Sequence, residues 1–170
     1  MAKKARFTDL LGSYEKEIHR YLFRMTGNPE DAQDVLQETF LRAFRAFPRL
    51  QSDANHRAWL YRIAQRQALN LFRSQKVRAT EPLENALFVD DANGRPDALA
   101  EGRRLVRALR HVIRELTPRQ RSALLLRKYE GLPYRDVADI LRCSEENARA
   151  QVYQAMKKVR NGLGANGRKS

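Results

Sequence analysis

A single cysteine, Cys143, stands in 170 residues, which excludes an internal disulfide and any metal site built from several cysteines. Only three histidines occur, His19, His56 and His111, and none is paired at metal-ligand spacing. No glycine-rich phosphate loop is present either. With no nucleophile, metal or phosphate-loop constellation, the chain reads as a protein that is not an enzyme and needs no cofactor. No apolar run is long enough to span a bilayer, and the opening Met1-Ala-Lys-Lys lacks the apolar segment of a signal peptide, so a cytoplasmic protein is expected. Strictly alternating apolar and polar residues are also missing, which argues against strands. Acid is in short supply: 20 acidic side chains face 33 basic ones, for a net charge of +13 and a pI near 10.5. That balance calls for a polyanionic partner, although charge alone does not separate nucleic acid from an anionic membrane surface.

The charge is unevenly distributed. Residues 1–80 carry 15 basic and 8 acidic side chains, residues 81–101 carry 1 and 6, and residues 102–170 carry 17 and 6. Two basic modules flank an acidic stretch. In that stretch helical periodicity fades and Pro82, Asn93-Gly94 and Pro96 accumulate, so it reads as a linker with a short apolar turn at residues 86–89. The expected organisation is two small all-α domains, 7–77 and 99–165, joined by an acidic linker at 78–98.

Apolar spacing defines the helices. Leu11, Tyr14, Ile18, Tyr21, Leu22 and Met25 form a first stripe that Gly27 ends. Asn28 to Phe47 then begins with a capping Asn28, Pro29 in the first turn, and Glu30 and Asp31 at the positive helix end. Its inward stripe is Ala32, Val35, Leu36, Thr39, Phe40, Ala43, Phe44 and Phe47. Its other face holds Asp34, Gln37, Glu38, Leu41 and Arg45, which suits a protein contact but is equally compatible with a solvated face. Phe47-Pro48 breaks this helix, and a polar loop follows from Leu50 to His56. The next helix, from about Arg57, buries Leu60, Ile63, Ala64, Ala68 and Leu71. Trp59, Arg62, Arg66, Asn70 and Arg73 lie along another face, an aromatic among bases as a single-strand groove requires, while a core Trp59 on a solvated basic helix is the plainer alternative.

The second module opens with a helix carrying Leu105, Leu109, Val112, Ile113 and Leu116 inward and Arg103, Arg107, Arg110 and Arg114 outward. Thr117, Pro118 and Gln120 form the pattern of a capping box. Pro133 opens a further helix, and after the tight Arg142-Cys143-Ser144 turn Ser144 caps the last one, whose stripe is Ala148, Val152, Ala155, Val159 and Leu163. Two helices joined so closely, the second long and basic toward its end, are the pattern of a helix-turn-helix. Cys143 reads as a small apolar residue in the turn.

Three segments carry a resemblance to a known family. The run DAQDVLQETFLRAFRAF is similar to the core-binding helix of region two in bacterial sigma factors of the extracytoplasmic-function (ECF) group. RAWLYRIAQRQALNLFRSQ resembles their promoter-melting segment, and LTPRQRSALLLRKYEGLPYRDVADIL resembles region four. Together they cover most of Leu10–Gln75 and Leu99–Leu163. The resemblance implies a sigma factor that directs core RNA polymerase to specific promoters and assists duplex opening. It implies that Asp34, Gln37, Glu38, Leu41 and Arg45 dock on the β′ clamp helices of core RNA polymerase, and that region four also meets the β flap. It places single-strand capture at the downstream promoter element on Asn55, His56, Arg57, Trp59, Arg62, Arg66 and Arg73. At the upstream element, base edges fall to Glu146, Asn147, Arg149, Ala150 and Tyr153, and phosphates to Lys157, Lys158 and Arg160.

The last helix departs from the family pattern, because Glu146, Asn147 and Gln151 stand where a small residue, a threonine and a base are usual. Promoter preference therefore transfers less directly than fold. Two other readings stay open: a sigma-like decoy that binds an anti-sigma factor, and a helix-turn-helix regulator that works without polymerase.

Overall fold

The computed structural model describes residues 2–51, 53–78 and 96–167 of the chain. Helix α1 spans Ala2–Thr26 and α2 spans Pro29–Ala46. They form the expected hairpin, with Gly27 turning the chain at a φ of 70°, where a side chain would be strained. Asn28 caps α2 as anticipated, its side-chain oxygen accepting from the backbone N–H of Glu30 and Asp31, an arrangement worth about 1 kcal/mol. The chain then makes a single 3-10 turn at Phe47–Arg49 before α3, His56–Arg78. In the other half α4 spans Pro96–Glu115 and α5 spans Pro118–Leu124, running into a π-helical turn at Leu125–Tyr129. Helices α6, Tyr134–Leu141, and α7, Glu145–Gly167, make the helix-turn-helix.

Several boundaries differ from the sequence expectation. Helix α1 begins at Ala2 rather than near Phe7. The stretch assigned to the linker yields its ends to helix, since Arg78 closes α3 and Pro96 opens α4; proline suits a first helical position. Residues 79–95, with the expected apolar turn at 86–89, lie outside the described residues. Two stripe residues turn out to be half outside: Phe44 is 49% and Leu105 58% exposed. Phe44 still meets Phe7 edge-on, with ring centroids 5.4 Å apart, so it covers the end of α1 instead of entering the core. The capping box is one-sided. Thr117 accepts from the Gln120 N–H, but the Gln120 side chain accepts from Lys158 on α7.

The core does not stop at the boundary between the halves. One continuous apolar cluster joins Ile18, Tyr21, Leu22, Leu36, Leu60 and Tyr61 to Leu125, Leu126, Val137 and Ile140, and a smaller one lies between α4, α5 and α7. Across this seam run buried polar contacts. The Tyr21 hydroxyl lies 2.7 Å from Gln65 and 2.8 Å from Ser122. Arg121 donates to the carbonyls of Met25, Ile113 and Arg114. Arg24 donates to the nearly covered carboxylate of Glu130. A seam crossed by this many polar contacts resembles interfaces that form and part rather than a permanent core.

Candidate nucleic-acid interface

Helix α2 presents Asp34, Gln37, Leu41 and Arg45 to solvent, Leu41 at 52% exposure. Glu38 is half-buried and paired with Arg42 one turn on. Because Ala32, Val35, Leu36, Thr39 and Ala43 hold the opposite stripe in the core, this outer face is free of packing duties within the described residues.

The loop and α3 are less free. Asn55, expected to offer its amide to a base, is the N-cap of α3: its oxygen accepts from the Ala58 N–H at 3.0 Å, and its amide nitrogen donates to Asp136 on α6 at 3.1 Å. Arg57, expected along the strand's phosphates, is instead bound inside the protein. It donates to Glu17 at 2.6 Å and to the Glu130 carbonyl at 2.7 Å. Burial alone would lower its pKa, but the Glu17 hydrogen bond and charge hold it raised. Tyr61 also donates to Glu17, and its hydroxyl is pushed far up by burial and then by that carboxylate. In this arrangement Arg57 turns inward, to Glu17 and the Glu130 carbonyl, rather than along the outer face of α3.

Trp59 is half-buried against Phe47, ring centroids 6.4 Å apart, so the aromatic is shared between the core edge and the surface. His56 leans on Phe47 from the other side. Beside them a cavity of about 500 Å³ opens, walled by Phe47, Pro48, Leu50, Gln51 and His56 with the start of α1. Arg62 pairs with Asp139 on α6, whereas Arg66 and Arg73 are exposed. The structure therefore brings His56, Trp59, Arg62 and Arg66 along one helix and leaves two of its neighbours, Asn55 and Arg62, holding carboxylates of α6.

On the helix-turn-helix, Ser144 caps α7 by accepting from the Asn147 N–H. Arg142, at the end of α6, takes a left-handed conformation at a φ of 51°. Glu146, Asn147, Arg149, Ala150 and Tyr153 are all exposed on the first turns of α7, and Lys157, Lys158 and Arg160 follow, also exposed. Arg149 pairs with Glu145 at 3.3 Å and lies over the Tyr134 ring at 4.3 Å, which fixes its guanidinium at the N-terminal end of the helix. Unlike α3, this helix keeps its outer face clear of the other half.

The sequence reading missed Glu17 and Asp139, whose carboxylates take Arg57 and Arg62 of the basic helix, Asp136, which takes the Asn55 amide, and Glu130, which takes Arg24 of α1. Their only sequence signal is that acids are rare in so basic a chain, so each must be placed against some base.

A helix-turn-helix module packed on a second helical module that carries a basic helix and a polar loop defines a non-enzymatic DNA-binding transcription protein. Comparison with known families makes this specific: residues 10–78 match sigma-70 region 2 and residues 106–159 match sigma-70 region 4. The chain is 30% identical over 169 residues to the ECF RNA polymerase sigma-E factor of Haemophilus influenzae, covering 94% of this chain and 87% of that protein. It is 29% identical over 168 residues to the RNA polymerase sigma-H factor of Pseudomonas aeruginosa, again covering 94% and 87%. Its fold is similar to that of the sigma factor RpoE in complex with the anti-sigma factor NepR from Bartonella quintana, with a TM-score of 0.78 at 19% identity over 94% of this chain and 97% of that one. CnrH in complex with the cytosolic domain of CnrY gives 0.69 at 23% identity over 95% and 90%. The chain belongs to the ECF group of the sigma-70 family and directs promoter-specific initiation by RNA polymerase.

Proposed function

We propose that this sigma factor opens promoters by capturing an unpaired base in the cavity beside Leu50–His56 while Arg62, Arg66 and Arg73 follow the strand. The observation that carries the reading is the joint position of that cavity and α3. An aromatic floor at Phe47 and a hydrogen-bonding rim at Gln51 and His56 meet the first turn of the basic helix. Holding a base outside the stack must repay the few kcal/mol that unstacking costs, and an aromatic wall with guanidiniums alongside supplies stacking and phosphate contact together. Helix α7 would enter the major groove at the upstream element with Arg149 and Asn147 foremost, and the outer face of α2 would dock on the β′ clamp helices, with region four at the β flap.

Strand capture and the observed packing exclude each other. While α6 packs on α3 it covers part of the face along which the strand would run, and Asp139 already takes one nitrogen of Arg62. The halves must part on polymerase, as a seam of polar contacts allows. An anti-sigma factor is a further partner of this reading, supported by the likeness to sigma factors solved with such partners; a purified stoichiometric partner that fails to prevent core binding would exclude it as an inhibitor.

His56→Ala tests the base pocket. It should leave core binding and closed-complex formation nearly unchanged while lowering permanganate reactivity of unpaired thymines on linear promoter DNA. On a template with a preformed bubble the defect should shrink without vanishing. Opening as efficient as that of the parent protein would move the pocket elsewhere.

A further inference from the structure

We propose that the arginine-lined cavity between α3 and the α6–α7 turn binds a polyphosphate anion, and that this anion holds the two halves together. The cavity measures about 400 Å³ and draws its walls from both halves: Arg62, Arg66 and Arg73 from α3, Arg119 from α5 and Arg142 from the turn after α6. Among the described residues no carboxylate lines it. Asp139 stands beside it but is taken by the terminal nitrogen of Arg62, whose Nε remains buried without a partner. Arg119 donates to the Leu141 carbonyl. The side chains of Arg66, Arg73 and Arg142 make no ion pair or hydrogen bond among the described residues. Five guanidiniums with one carboxylate between them repel one another, and a compact multivalent anion removes that repulsion.

The chemistry of the site selects phosphate. Guanidinium forks match the paired oxygens of a phosphate group, and several forks around one cavity match several linked groups better than a single carboxylate. The volume lies in the range of small-ligand pockets, enough for a short phosphate chain or a nucleotide carrying one, and too little for a duplex. Arg142 adds a further sign. It occupies a left-handed position where a side chain is strained and glycine is the usual choice, yet a guanidinium stands there and reaches the cavity.

Because the walls come from both halves, the anion binds only the packed arrangement and must stabilise it by mass action. Arg62, Arg66 and Arg73 would then be withheld from the promoter strand. That consequence for transcription rests on the strand-capture reading, whereas binding itself does not.

Titration calorimetry of the full chain, without polymerase or DNA, tests the site with tripolyphosphate and with ATP at matched ionic strength. Saturable one-to-one binding is expected, with a rise in the thermal unfolding midpoint. Arg142→Gly suits the left-handed backbone, so it should fold at least as well as the parent and weaken binding by roughly tenfold or more. Arg104→Ala, which removes an exposed charge from α4, should weaken it far less. ATP binding tighter than tripolyphosphate would identify a nucleotide, and equal affinities a phosphate chain alone; both support the site. Equal losses in the two variants, or heats that chloride of the same ionic strength abolishes, would overturn it. A strand-capture failure in the permanganate assay would leave this titration unaffected.

Discussion

Glu130 shows how a single side chain ties the halves together. It closes the π-helical turn after α5, reaches Arg24 of α1 at 3.3 Å and is nearly covered. Burial raises its carboxyl above the ordinary range, the Tyr61 hydrogen bond and the Arg24 charge lower it in part, Glu17 raises it further and Arg20 lowers it. A raised carboxyl binds its proton more tightly in the packed state than in the parted one. Glu130's own contribution to the seam is therefore greatest at low pH and is lost as pH climbs from the usual carboxylate range through the raised value. Glu130→Gln should flatten this dependence when unfolding midpoints are followed between about pH 4 and pH 7. Parallel pH profiles for parent and variant would show that Glu130 does not couple to the seam. Asn55 also gains a meaning at this scale: as the cap of α3 its loss costs stability of about 1 kcal/mol, so an alanine there mixes a folding effect with any effect on promoter opening, and His56 is the cleaner probe.

Packing leaves alone the outer faces of α2 and α7 to which the proposed function assigns polymerase and promoter contacts, and each face is separately testable. Leu41→Ala and Asp34→Lys should weaken core polymerase binding while preserving helicity, with Leu41 costing about 1 kcal/mol or more if it anchors the contact. Unchanged core affinity in both variants would remove α2 from the interface. Arg149→Ala should relax discrimination at one or two upstream base pairs by about 1–3 kcal/mol if the contact is bidentate to guanine. Lys158→Ala should weaken all sequences alike and lower the salt slope. A uniform loss for Arg149→Ala would assign it to phosphate instead. These helices were legible because capping residues and apolar periodicity are local: Asn28, Gly27, Thr117 and Ser144 mark their ends in sequence and in structure alike. Helix α3 was legible only in part. Its basic periodicity is plain, but which arginines are spoken for depends on acids 40 to 77 residues away, Glu17 for Arg57 and Asp139 for Arg62, and no periodicity reports that pairing.

At the scale of the molecule, two modules that the sequence separates by a linker share a continuous apolar core and a polar seam. Sequence periodicity states which face of a helix is apolar, not which helix covers it; the helices α3 and α6 are both legible in the sequence, and their mutual contact is not. The packing has a functional consequence, because Asp136 and Asp139 hold Asn55 and Arg62 as phosphates and bases would. The account thus makes parting of the halves a condition of promoter opening. A cleavable bis-maleimide joining cysteines placed by Asn55→Cys and Asp136→Cys, in a chain with Cys143→Ser, would lock that contact. With the unlinked double variant as reference, the locked protein should give no open complex by permanganate footprinting on its promoter with core polymerase, and cleavage of the linker should restore it. Open complexes formed equally well by the locked and released proteins would contradict the account.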